Sequence, residues 1–218
     1  MKRNAAHFLI LFLSLIASAA HAQSAPSNNE LGLVIGATLT PSVGLQSVQP
    51  NLLQLNPSLT LGAEYDRRLF GHHTAVSVGL DFFASPNDVH ASQPPSNVSP
   101  EYAFLFLTPH VRVKFNAEGT LQPWLLFGGG YADFAPAQPR SGGVNVAGTG
   151  NSSTFQFGGG VDTKPLVHLK HLPLLGTLPI GARAEVRDFY SGQPDYGVAT
   201  TGSRQNNVLL TGGLVLHF

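Results

Sequence analysis

The stretch Asn207 to Phe218, NVLLTGGLVLHF, constrains the fold of this chain more than any other segment. Val208, Leu210, Leu214, Leu216 and Phe218 share one parity, interrupted only by Gly212, while Asn207, Thr211, Gly213 and His217 share the other. Side chains of a strand alternate between two faces, so one face here is apolar and the other small and mixed. The segment stops on an aromatic with no charged tail. In a soluble sheet nothing would cover that ring, whereas at a membrane–water boundary an aromatic is favoured. The segment therefore asks for a sheet whose apolar face meets lipid.

The beginning of the chain agrees. Lys2 and Arg3 precede the apolar run Phe8 to Ile16, and Ala20-His21-Ala22 gives the small-x-small pattern of a cleavage site before Gln23. The run is too short to span a bilayer as a helix. Residues 1–22 are expected to be a secretory signal, leaving 23–218 as one domain. No later stretch reaches the ~20 consecutive apolar residues of a membrane helix, so any contact with a membrane is made by strands. The chain has 12 Lys and Arg against 12 Asp and Glu; losing Lys2 and Arg3 with the signal leaves it slightly acidic, which excludes nucleic acid as a partner. Only 11% of residues are charged, well below the ~25% of soluble domains. With no cysteine the exported chain has no disulfide framework, and its sheet alone must hold it together.

Alternating patterns predict strands over Glu30–Thr40, Ser58–Phe70, His72–Phe83, Glu101–Asn116, Leu121–Phe134, Ser152–Lys164, Leu178–Tyr190 and Asn207–Phe218. The glycine triplet Gly128 to Gly130 leaves the parity of the fifth open. Connections rich in Pro, Ser, Asn and Gly are long after strands one, three, five and seven and short after two and four. Eight strands are the smallest even number that closes a membrane barrel, and alternating long and short connections are what a meander through a membrane produces. The expected fold class is all-β, an eight-stranded antiparallel up-and-down transmembrane barrel with both termini in the periplasm. The misfit is Pro165 to Thr177, long where a tight turn belongs and rich in leucine. Two readings fit it: a lengthened hairpin below the membrane, or a segment lying on its inner surface.

With these features in place, the mature chain resembles the eight-stranded outer-membrane barrels of the OmpA and OmpX type. Gly158 to Asp162 and Arg183 to Tyr190 look like strands six and seven of that family. The final strand resembles the C-terminal strand that the barrel-assembly machinery reads, with Leu210, Leu214, Leu216 and Phe218 as the assembly signal. The resemblance implies a monomer in the outer membrane of a Gram-negative bacterium. Its partners would be outer-membrane lipid and that machinery, and its work would be envelope structure or surface interaction rather than catalysis.

The parity assigned to the interior carries Glu64, Asp66, Arg68, Asp81, Arg112, Lys114, Arg183, Glu185 and Arg187. In so narrow a bore these charges must pair. They form either a structural ion-pair network or a gate whose pairs rearrange to pass ions through a narrow pore. The structural reading is put first, because buried charges are normally paired whatever the function. A wide diffusion pore is excluded, since that takes ~16 strands. A lipid-acting enzyme on such a barrel would need a His beside a Ser on the outer side; only His90, in a loop, lies there, while His72, His73, His168, His171 and His217 fall at periplasmic ends and His110 is mid-strand. The spacing of His168 and His171 matches no standard metal site, and no cofactor is expected. Phe82, Phe83, Phe134, Phe189 and Tyr190, with Phe70, Phe115 and Phe218 at the opposite ends, are expected to form two aromatic girdles. The rival class is a lipocalin-like barrel binding a small apolar ligand, which requires leucines within and charges without.

Overall fold

The computed structural model describes residues 28–46, 52–85, 98–99, 101–137, 144–145, 147–172, 176–197 and 199–218. The expected signal and its boundary at residue 23 lie outside these, as does His90. Eight long strands run up and down: β1 (Asn29–Leu39), β2 (Ser58–Phe70), β3 (Ala75–Ala84), β4 (Tyr102–Lys114), β5 (Leu121–Pro136), β6 (Gly150–Thr163), β7 (Gly176–Gly192) and β8 (Arg204–His217). Each pairs antiparallel with its sequence neighbours, and β8 pairs with β1 from Leu39↔Val208 to Glu30↔His217, so the sheet closes on itself. The expected fold class is the one observed.

Strand ends differ where turn geometry intervenes. β3 starts at Ala75 rather than His72, because Gly71, at φ 92°, turns the chain through His72 to Thr74. A side chain at Gly71 would strike the Thr74 carbonyl. Asn116, at φ 49°, makes the turn after β4. The long connection after β6 is the lengthened hairpin: a short strand, Val167–Leu172, pairs with the first residues of β7. From Asp162↔Arg183 to Val167↔Ile180 the chain spends five residues on one side and three on the other. Pro165, which has no N–H to give the ladder, sits in that bulge.

The alternation sorts side chains as the sequence indicates. Leu33, Ile35, Leu59, Leu61, Val111, Leu125, Phe127, Phe155, Phe157, Val186, Leu210 and Leu214 stand on the exterior at 37–65% exposure. Leu216 and Phe218 are half-buried at its edge. The parity left open at Gly128 to Gly130 continues without a break: Trp124, Leu126, Ala132 and Phe134 point inward, Leu125, Phe127 and Tyr131 outward. The lipocalin-like arrangement requires the reverse and is not the one present.

The four long connections gather at one end, here the loop end, and are tied to one another. Val43–Gly44 pairs with Leu52–Leu53, Leu45 bridges Thr200, Val98–Ser99 pairs with Val144–Asn145, and Gly148 bridges Asp195. Beneath them the bore holds an apolar cluster of Val34, Phe83, Tyr102, Phe104, Phe106, Phe134, Phe189 and Leu209, sealed by Val43, Leu45, Leu53 and Tyr196 from the loops. This corrects the girdle expectation: Phe83, Phe134 and Phe189 lie inside, not at the lipid boundary. Height along the strand suggested a girdle, but parity decides the face, and Phe83 shares it with Asp81 as Phe189 does with Arg187. Tyr190 and Phe70 do face outward.

Candidate functional site

The turn-end half of the bore is filled by charge. Glu64 on β2 is the hub: its Oε2 accepts from Arg112 Nη2 at 2.7 Å, Arg183 Nη1 at 2.6 Å and Arg187 Nη2. These partners come from β4 and β7, so the hub ties opposite walls together. Asp66, two residues on and therefore on the same face, accepts from Arg112 Nη1 at 2.5 Å and lies 2.8 Å from His110 Nε2. His110 turns its Nδ1 toward Asp81 Oδ2, also at 2.8 Å. Asp81 in turn accepts from Arg187 at 2.6 Å and Gln156 at 2.7 Å. Arg187 donates to Glu185 at 2.9 Å, and Thr211 donates to the other oxygen of Glu185 at 2.6 Å.

Nearer the turns, Asp162 accepts a two-pronged bond from Arg183, Nε and Nη2 both at 2.8 Å, the fork geometry that suits a guanidinium to a carboxylate. Lys114 lies between Asp162, at 2.9 Å, and both oxygens of Glu30, at 2.8 Å. The sole tryptophan, Trp124, donates its indole N–H to Asp162 at 3.0 Å. It also lies under three cations, with the guanidinium carbons of Arg112, Arg183 and Arg187 at 4.3, 5.3 and 5.5 Å from its ring. All these side chains are buried.

Inward glycines make the room. A Cβ on Gly32 would sit 2.9 Å from Arg183 Nη1, crowding the Arg183–Glu64 contact, and one on Gly160 would press on the Trp124 ring and on Glu185. Small residues opposite large charged ones are how an eight-strand bore accommodates this lattice.

Of the residues picked from sequence, Glu64, Asp66, Asp81, Arg112, Lys114, Arg183, Glu185 and Arg187 meet in the lattice. Arg68 does not. It is half-exposed at the turn end of β2, next to the irregularity between Arg68 and Phe70, where alternation breaks down. Glu30, His110, Asp162, Gln156 and Trp124 belong to the lattice and were not singled out. Asp162, Gln156 and His110 stand on the inward parity of their strands, and that is the sequence signal for them. Glu30 opens its strand, where no alternation yet marks a side.

The loop end is pinned to the bore by Tyr196, whose hydroxyl donates to Gln205 at 2.6 Å and whose ring meets Tyr102 edge-on at 5.8 Å. Burial pushes the Tyr196 phenol well above its usual range, so it stays a neutral donor.

A closed ring of eight antiparallel strands, greasy outside and charged within, is now in view. The chain has the fold of the eight-stranded outer-membrane β-barrels. It is similar to Neisserial surface protein A, at 11% identity over 89% of this chain and 100% of that one, with a TM-score of 0.54. Looser likenesses are to the outer membrane enzyme PagL, at 13% identity over 84% and 97% of the two chains with a TM-score of 0.44, and to Ail, the attachment invasion locus protein of Yersinia pestis, at 13% over 86% and 99% with a TM-score of 0.41. At such identities the likeness is one of fold. No protein-family model matches the barrel's sequence, and no curated protein does.

Proposed function

We propose that this is an exported outer-membrane barrel, a monomer with both termini in the periplasm, that works without catalysis. It serves envelope structure or surface interaction by presenting its joined loops outside the cell. The observation that carries the reading is the inside-out distribution of polarity: a belt of exposed Leu, Val and Phe around a bore of paired charge. Such a belt far exceeds the apolar patches soluble monomers tolerate, and it is what lipid wets.

The reading of the bore as a structural network, rather than a gate, is supported by its two fillings, ion lattice and aromatic cluster, stacked one above the other with the loops over them. A non-catalytic role is supported by His110, whose ring nitrogens both face carboxylates inside that filling. The final strand, with Leu210, Leu214, Leu216 and Phe218, is what the assembly machinery would read.

Fractionation followed by a gel with and without boiling tests the membrane reading. The protein should be recovered with outer membranes and migrate anomalously until heated; recovery in the soluble periplasm overturns it. In planar bilayers the purified protein should show no sustained conductance, and steady channels would restore the gate.

A further inference from the structure

The hairpin made by Val167–Leu172 and the start of β7 runs on past the turn end of the barrel. β8 accompanies β7 only as far as Ile180↔Leu216, so the pairing beyond it is with Val167–Leu172. Its two faces differ. Counting by twos from Val186 and Ala182 on the exterior places Ile180 and Leu178 on the same side of β7. Their directly opposed partners, Val167 and Leu169, share that side. Val167 and Leu169 remain 54% and 43% exposed, and Leu166 beside them 62%, while Ile180 is half-buried and Leu178, at 7%, is covered. The apolar surface that the hairpin turns outward is therefore that of Leu166, Val167 and Leu169, next to the barrel's greasy exterior. Lys164 and His168 are exposed too, and the sequence from Lys164 to Ile180 also holds Lys170 and His171 but no acidic residue.

We infer that this hairpin is a lipid-surface anchor, with Val167 and Leu169 seated among the phospholipid head groups at the turn end and the basic residues paired with phosphate. The inference rests on the membrane reading above and goes beyond it by assigning the hairpin a ligand. Two observations select lipid: the apolar face adjoins the surface that lipid already wets, and the charge is of one sign, matching anionic head groups. The long stem of Lys164 suits such a position, since lysine lays its methylenes on apolar surface and keeps its ammonium in water.

The absence of cysteine makes the test direct. A spin label on Leu169→Cys is read in the full chain, refolded into vesicles of phosphatidylcholine and phosphatidylglycerol, beside a label on Leu214→Cys. The label at 169 should be reached by oxygen in preference to a water-soluble nickel chelate, at a shallower depth than at 214. It should shift toward water when Lys164→Glu and Lys170→Glu are combined. A label at 169 tumbling in water while 214 stays in hydrocarbon overturns the anchor alone. Water at 214 overturns the membrane reading on which it rests. A label at 169 shielded from both reagents whatever the lipid marks a protein contact, and also overturns the anchor.

Discussion

The two halves of the bore are built from the same inward positions of the same strands, yet they are filled by opposite chemistry. On β3 Asp81 and Phe83 are neighbours on one face, and on β7 Arg187 and Phe189 are. Toward the turns most large inward side chains are ionic or hydrogen-bonded, with Leu126 and Val215 packed among them; toward the loops Phe106 stacks on Phe189 at 4.5 Å, with Phe83 and Phe134 edge-on around them. The join is Arg187, whose guanidinium serves Glu64 and Asp81 while lying 5.0 Å over the Phe83 ring. Parity alone states only that a residue enters the bore. Height decides whether its neighbours are charges or rings, and that sets how the two halves should respond to change. An ionic lattice is directional, so removing one member strands its partners; an aromatic cluster is not, so its members can be exchanged for others of similar bulk.

The largest effect should come from Glu64→Ala, which leaves three guanidinium groups facing a gap. A loss of about 3–5 kcal/mol is expected in urea unfolding from lipid. A loss under about 1 kcal/mol would show the lattice to be as tolerant as the cluster and erase the contrast. On the exterior, Leu214→Arg should cost roughly 2–4 kcal/mol if mid-bilayer lipid lies there, and unimpaired assembly would break the premise shared by both halves. In the loop-end half, Phe106→Leu should cost only about 1–2 kcal/mol in the same unfolding assay. A larger loss than for Glu64→Ala would invert the comparison. Smallest of all, Tyr196→Phe removes one hydrogen bond, to Gln205, and should cost about 0.5–1.5 kcal/mol. Faster proteolysis of the loop around residue 196 would then show that bond to be what holds the cap.

The strands and their facing could be read from sequence because a period of two is written directly into each segment, as in Ser58 to Asp66, and a closed ring leaves each segment few alternatives. The lattice was half legible. That Glu64 and Arg183 both face inward is a local fact; that they meet depends on which heights β2 and β7 reach across the bore, and that is set by the register of the whole ring. The inward turn of Phe83 and Phe189 has a related reason: position near a strand end points to the lipid boundary, but parity with Asp81 and Arg187 sets the face and turns them inward. The hairpin after β6 was obscured by Pro165, which interrupts the alternation that would have marked a continued strand.

The pairing of β1 with β8 has a consequence for the order of assembly. Glu30↔His217 and Leu39↔Val208 join segments separated by nearly the whole chain, so this is the most expensive contact in chain entropy and the last that local hairpins can bring about. Until it forms, β1 and β8 each offer an unpaired row of amides and carbonyls to any other strand nearby, the situation that invites aggregation. Ring closure is therefore the step at which this polypeptide most needs a protected setting.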